Sequence, residues 1–282
     1  MSEKIDVEHL KKWLGSERET FDIITPRLAN GLAAVLDEPC DLKAGDLAPV
    51  GIHWCLSPDI VPMSGLGADG HPARGAFLPP VQLPRRMWAG GELCFSSGFR
   101  VGDSVRRLSR VDDIAVKAGR SGTLCFVTVH HEYSVDGNVI LNERHDIVYR
   151  ALEAPSDNKP PKADFVEPDM MLEIDGTPTL LMRYSAVTFN GHRIHYDRDY
   201  CIDEEFYPGL IVHGPLQANY MLRMAYQLND NRLPKRFSFR GLSPLFDGSS
   251  FTINAKREDS GNRFWVLNAD GAMTMQAQTS DD

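Results

Sequence analysis

Cysteine is scarce: five residues in 282, at Cys40, Cys55, Cys94, Cys125 and Cys201, never spaced as Cys-X-X-Cys. An odd, scattered set offers neither a disulfide framework nor a structural zinc site, so the five are expected as buried thiols. Long apolar runs are missing as well. Nowhere do ~18 consecutive apolar residues occur, and residues 1–20 are charged rather than apolar. Neither membrane insertion nor secretion is therefore expected, and the cytoplasm is the expected location. Excess positive charge is the third absence: 30 Lys and Arg stand against 39 Asp and Glu, a formal net charge of −9. General nucleic-acid binding needs a net basic face, and this balance argues against one.

What is there is an ordinary globular composition, 42% hydrophobic and 9% aromatic, with room for one large or two ordinary domains and a sizeable core. The acidity is uneven. Residues 100–120 carry Arg100, Arg106, Arg107, Arg110, Lys117 and Arg120 against Asp103, Asp112 and Asp113. Such a segment suits either a phosphorylated small molecule or a solvated strand face.

Along the chain, residues 20–36 carry Leu28, Leu32, Val35 and Leu36 at helical spacing, with Pro26 near the start. Residues 59–88 are dense in Gly and Pro, which neither a long helix nor a central strand tolerates, so an ordered functional loop is expected there. Strands are expected at 92–100, 104–111, 123–133 and 138–150, the last two joined at Asp136-Gly137. Residues 156–169 are proline-rich and polar, a linker by composition. They divide the chain into units at 1–155 and 170–282. In the second unit strands are expected at 179–187, 236–240, 250–257, 263–269 and 272–279, with a hairpin at Asp270-Gly271. Two halves that each end in an Asp-Gly hairpin suggest an internal duplication of an α+β unit.

Residues 215–228 form a helix apolar over most of its circumference, with Pro215 at its first position and Gly214 just before it. Its polar residues Asn219, Arg223 and Gln227 fall every four residues, and Gln217 is the outlier. So greasy a helix must be buried, which suggests a curved antiparallel sheet wrapped around it. The free N–H groups of its first turn, beginning at Gly214, face whatever lies ahead of the helix. A polar loop, Asn190-Gly191-His192-Arg193-Ile194-His195, precedes it. His130, His131 and Glu132 are no metal site, because neighbours on a strand point to opposite faces. His192 and His195 lack a third ligand in their own loop.

These residues carry a resemblance. Phe189-Asn190-Gly191-His192-Arg193-Ile194-His195-Tyr196-Asp197, followed by Tyr207-Pro208-Gly209-Leu210-Ile211-Val212-His213-Gly214-Pro215-Leu216, resembles the motif of the MaoC-like double hot-dog hydratases and dehydratases. Within them it is most similar to the hydroxyacyl-thioester dehydratase type 2 branch and its bacterial itaconyl-CoA and mesaconyl-CoA hydratases. Gly45-Asp46, His53-Trp54, Asp69-Gly70-His71-Pro72, Phe77-Leu78-Pro79-Pro80 and the run from Pro84 through Arg85, Arg86 and Trp88 to Gly91 resemble the first half of the same branch. The resemblance implies an α+β double hot-dog: two curved antiparallel sheets, each around a central helix, with the N-terminal one altered to accommodate substrate.

It also implies a site. The wider family pairs an Asp with a His five positions later; here the His falls on His195 and the Asp position holds Asn190. An amide can orient water but cannot take its proton, so His195 must act as base toward water and as acid toward the α-carbon. The Gly214 N–H would hold the thioester oxygen. The activity implied is reversible hydration of an α,β-unsaturated acyl-CoA, with itaconyl-CoA or mesaconyl-CoA giving citramalyl-CoA as the preferred chemistry. No cofactor or metal is implied, since coenzyme A belongs to the substrate, and a homodimer is compatible with the family. His192, Arg193, Arg85 and Arg86 are the candidate substrate contacts, because a guanidinium fork suits a free carboxylate; a structural ion pair accounts equally well for any one arginine. Dehydration of 3-hydroxyacyl chains on a carrier protein is the alternative within the same class. A non-catalytic acyl-CoA-binding protein is the alternative outside it.

Overall fold

Two Thr-Pro pairs start the fold's layout. A computed structural model describes residues 5–119, 122–152 and 166–280. After the single turn α1 (Val7–Leu10), strand β1 (Glu17–Ile23) leads into helix α2 (Pro26–Val35), and strand β6 (Met170–Asp175) leads in the same way into helix α3 (Pro178–Thr188). The Thr25 hydroxyl accepts the Leu28 N–H at 3.1 Å, and the Thr177 hydroxyl accepts the Leu180 N–H at 3.2 Å. Proline follows each cap, where its missing donor costs nothing.

The strands β2 (Arg85–Phe95), β3 (Ser104–Gly119), β4 (Gly122–Val135), β5 (Asn138–Arg150), β7 (Arg236–Gly241), β8 (Ser250–Glu258), β9 (Gly261–Leu267) and β10 (Met273–Ser280) complete the set. Among the described residues all ten strands join one antiparallel sheet in the order β1-β3-β4-β5-β2-β7-β10-β9-β8-β6. Read outward from its centre, the order β2-β5-β4-β3-β1 is repeated by β7-β10-β9-β8-β6, the internal duplication expressed as topology. The two curved sheets expected from the sequence thus meet as one, through the β2–β7 pairing of Gly90 to Cys94 with Arg240 to Arg236. Asp136 (φ 49°) and Gly137 (φ 79°) turn the β4–β5 hairpin, both at the positive φ a two-residue turn of matching twist requires.

Several expectations about individual elements are corrected. The expected strand at 179–187 is helix α3: the Thr-Pro cap and the buried Leu181, Tyr184 and Ser185 at helical spacing override its local strand propensity. The expected helix at 20–36 is cut at Thr25, and its first residues belong to strand β1, whose exposure alternates along Glu17–Ile23. Strand β2 begins at Arg85, inside the Gly/Pro-rich stretch expected to be loop. Strand β3 continues past 111, with a register shift between Val111 and Asp113 that keeps its inward face in phase. The linker expected at 156–169 lies mostly outside the described residues.

Helix α4 (Gly214–Leu228) lies against β7, β8, β9 and β10 with nine of its residues buried. Two of its polar residues tie it to neighbouring elements. Arg223 pairs with Glu38 at 2.5 Å and donates to the Leu36 carbonyl at 2.6 Å at the end of α2, and the Gln217 carboxamide accepts the Thr274 hydroxyl at 2.8 Å. In the first half only two short turns, Ile52–Cys55 and Met63–Gly65, lie between α2 and β2. There the Gly/Pro-rich chain stands where the second half has its long helix, and a cavity opens between them.

Candidate active site

The hydratase-like loop starts where α3 ends. Phe189 adopts a left-handed conformation (φ 52°) and the Asn190 N–H donates back to the Ser185 carbonyl at 2.8 Å, so the chain leaves the helix abruptly. The Asn190 Oδ1 accepts the His192 N–H at 3.0 Å, a local turn that fixes the carboxamide's orientation. With its oxygen engaged, Asn190 has its Nδ2 protons to offer a water or substrate oxygen. One further turn, Arg193–His195, places His195 beneath the loop.

His195 is 6% exposed, and its Nδ1 lies 2.8 Å from the Ile211 carbonyl. A carbonyl can only accept, so Nδ1 carries the proton and Nε2 keeps its lone pair. The ring stacks on His213, centroids 3.6 Å apart and planes 17° from parallel. His213 is bound in turn by the Ser185 hydroxyl at 2.8 Å from Nε2. Burial drives the His195 imidazole down to about 3 against the opposing pull of the Ile211 hydrogen bond, and burial, then the charge of His195, holds His213 well below the usual range. Both rings are therefore neutral near pH 7, which a base awaiting a proton must be.

His213 directly precedes Gly214, so the stack sets His195 beside the first turn of α4. Gly214, Asn190, His192 and His195 line one cavity of about 600 Å³, shared with Trp54, His71, Arg86, Trp88 and His145 of the first half. Trp88 covers the helix start: a Cβ on Gly214 would lie 2.9 Å from its Cε3 atom. A side chain there would collide with the ring and cover the amide.

The first half also supplies a loop that docks on the motif. The Arg193 N–H donates to the Asp69 carbonyl at 2.9 Å, and the Arg193 guanidinium donates to the Ala68 carbonyl at 3.1 Å. Gly70, at φ +85°, approaches so closely that a Cβ would sit 2.1 Å from the Gly191 carbonyl oxygen. Gly70→Val should therefore part the two loops. A loss of about 2 kcal/mol or more is expected, seen as a fall of several degrees in the thermal midpoint, with activity lost in parallel.

This docking brings together residues that sequence reasoning had kept apart. The Asp69 carboxylate accepts the His71 N–H at 3.0 Å and lies 3.1 Å from the His71 Nδ1, and the His71 ring lies 4.1 Å from that of His192. His192 is 5.5 Å from His195. Burial pushes the Asp69 carboxyl up, but its hydrogen bonds to His71 and the nearby Arg86 outweigh that and hold it at about 2. Donor atoms of Asp69, His71 and His192 lie within 4.8 Å of one another, a spacing a divalent ion could bridge. The hydrogen bond within the Asp69–His71 pair already accounts for two of the three. The sequence clue was the Asp69-Gly70-His71-Pro72 string, whose partner across the fold is invisible in one dimension.

The four candidate substrate contacts fare differently. Arg85 is 7% exposed and spends its donors on Glu205, at 2.9 Å to the carboxylate and 2.5 Å to the carbonyl, while packing over Tyr207. Arg193 is forked onto Asp197 at 2.8 and 2.9 Å, stacks on Tyr200 and does not line the cavity. Each of these two arginines has a protein carboxylate as its ion-pair partner. Arg85 and Arg86 both line the cavity, and among the described residues Arg86 forms no ion pair with a carboxylate. His192 lines it too.

Comparison with known proteins now has a geometry to be set against. The family model of the hydroxyacyl-thioester dehydratases type 2 matches residues 51–247. The mesaconyl-C(4)-CoA hydratase of Chloroflexus aurantiacus is 38% identical over 272 residues, covering 94% of this chain and 95% of that protein. The chain belongs to the hydroxyacyl-thioester dehydratase type 2 family. Membership makes it an enzyme of the hydro-lyase kind. Among solved structures, a MaoC-like dehydratase from Phytophthora capsici superposes with a TM-score of 0.70 at 15% identity, covering 98% of this chain and 99% of the other. A conserved hypothetical protein of Mycobacterium tuberculosis with a double hot-dog fold gives 0.59 at 14% identity, with 95% of each chain covered. At such identities the likeness speaks to the fold alone, and the fold is the α+β double hot-dog. No helix among the described residues is long and apolar enough to cross a membrane.

Proposed function

We propose that this dehydratase-family enzyme hydrates a branched enoyl-CoA that carries a free carboxylate, mesaconyl-C4-CoA giving citramalyl-CoA. The observation that carries the reading is the meeting, in one cavity, of a neutral imidazole acceptor at His195, the open first turn of α4 at Gly214 and the guanidinium of Arg86, which forms no ion pair among the described residues. The relative from Chloroflexus aurantiacus, a mesaconyl-C(4)-CoA hydratase, supports the choice of substrate.

In this reading the thioester oxygen sits against the Gly214 N–H, and the α,β double bond lies under His195. The Asn190 Nδ2 holds the water oxygen over the β-carbon. As the new C–O bond forms, the water proton passes to Nε2 of His195. The electron pair of the double bond moves toward the thioester oxygen, where the helix start stabilises the charge. The same imidazole then returns that proton to the α-carbon. No cofactor takes part, coenzyme A being the substrate's handle, and the reverse direction is the dehydration for which the family is named. We place the reaction in the cytoplasm.

The test is a panel. Purified protein is given mesaconyl-C4-CoA, itaconyl-CoA and crotonyl-CoA, and loss of enoyl absorbance is followed together with mass gain of one water. Hydration of the dicarboxylic thioesters well ahead of crotonyl-CoA is expected. Equal rates on all three would contradict a carboxylate-reading arginine, and turnover of none would contradict the activity. A variant checks the oxyanion site separately: Gly214→Val should lower kcat/KM by about a hundredfold, the usual cost of one such donor.

A further inference from the structure

In a β-carboxylated enoyl thioester the carboxylate is one bond from the carbon that water attacks. Whatever binds it must therefore lie next to the catalytic imidazole, nearer than Arg86 alone need be. The groups found there are His192, 5.5 Å from His195 between ring centroids, and His71, 4.1 Å further along. Both line the cavity and are buried or half-buried, and among the described residues neither ring offers a hydrogen bond to a protein group beyond the Asp69–His71 contact.

Building on the proposed function, we propose that Asp69 and His71 of the first half form, with His192 and Arg86, the subsite that holds the substrate's free carboxylate. Asp69 fixes one face of the His71 ring by accepting from Nδ1. The opposite nitrogen, Nε2, is then the one left for a ligand. An imidazolium between two carboxylates, one of the protein and one of the substrate, is stabilised by both. Arg86 supplies the second cation and the planar fork. Charged and titratable groups facing His71 come from three elements: Asp69 and Arg74 on its own loop, Arg86 on β2, and His192 and His195 on the loop after α3. In the free protein burial and the charges of Arg86 and Arg74 keep His71 below its usual range, and the substrate carboxylate offsets those two arginines. A specificity site assembled this way explains why the loop of Asp69 is bound to the motif loop by two hydrogen bonds and a glycine contact, where any gap would separate acid reader from catalyst.

The experiment compares binding and turnover of paired thioesters that differ by one carboxylate in place of a methyl group. Succinyl-CoA and butyryl-CoA are unreactive here and differ by the carboxylate; mesaconyl-C4-CoA and 3-methylcrotonyl-CoA make the matching reactive pair. His71→Gln and Asp69→Asn are measured beside the wild type, with circular dichroism and thermal midpoints to establish that each is folded. The expected result is a fall of about tenfold in the succinyl-to-butyryl affinity ratio for His71→Gln, matched in the mesaconyl-to-methylcrotonyl kcat/KM ratio, and a smaller fall for Asp69→Asn. Folded variants that lose affinity for both partners equally would overturn the subsite, and so would variants that keep the wild-type ratio. A stoichiometric divalent ion whose removal by a chelator abolishes activity would also overturn it, since Asp69, His71 and His192 would then be ligands. A wild type that does not prefer the dicarboxylic thioesters would overturn the substrate reading itself, an outcome visible before any variant is made.

Discussion

His195→Ala is expected to lower kcat/KM for the enoyl thioester by about a thousandfold while the protein stays folded. Positioned proton transfer contributes about 10²–10⁴ to such reactions, and the substitution removes the group assigned to both proton steps. The size follows from geometry. The Ile211 carbonyl fixes the tautomer, the His213 ring fixes the plane, and Nε2 is left as the acceptor. Asn190 cannot substitute, because its oxygen is engaged by the His192 N–H and an amide does not take up a proton near pH 7. Steady-state rates with the thermal midpoint of the same sample provide the check. His195→Gln keeps much of the volume, so a rate loss shared by both variants belongs to chemistry rather than to a packing defect.

The second large effect concerns stability. His53 and His195 are nearly fully buried and each is driven down to about 3, with desolvation the main cause. An unfolded chain binds a proton at each near pH 6.5, whereas the folded chain does not until far lower. Below 6.5 the unfolded state therefore holds more protons, and stability falls as pH falls. From pH 6.5 to 4.5 each costs roughly 2 kcal/mol, so the pair costs about 4, a large share of the usual stability of a domain. His131, His192 and His213 shift in the same direction and add to the loss. Glu143, whose buried carboxyl is raised, works against it by protonating in the folded state. Denaturant midpoints across that range should fall steeply toward acid. Activity should fall with the fold and not at 6.5, because His195 stays neutral until unfolding intervenes. A flat midpoint, or a rate titrating near 6.5 in a protein still folded, would count against neutral buried imidazoles.

How much of this was legible in the chain depends on distance along it. Elements encoded by neighbours could be read: the Asp136-Gly137 turn, the greasy face of residues 215–228 and the alternation of residues 250–257. The strand and helix around Thr25 and the helix after Thr177 were misjudged because a cap and a proline outweigh the side chains that follow. At the site, the motif around His195 marked its loop. The stack of His195 on His213 joins residues 18 positions apart, and the burial of Arg85 by Glu205 and the docking of Asp69 and His71 on His192 join segments 120 or more apart. Residue type cannot tell the guanidinium of Arg85, held by Glu205, from that of its neighbour Arg86, although both line the cavity.

The central claim is that water is added across a double bond held between His195 and the start of α4. Its most direct test is one incubation with mesaconyl-C4-CoA in heavy-oxygen water, read by mass spectrometry for the wild type and for His195→Ala. The expected product is an intact thioester with one heavy oxygen in a new hydroxyl on the β-carbon, formed by the wild type and nearly absent with the variant. Heavy oxygen in a released carboxylic acid, or equal labelling by both proteins, would contradict it.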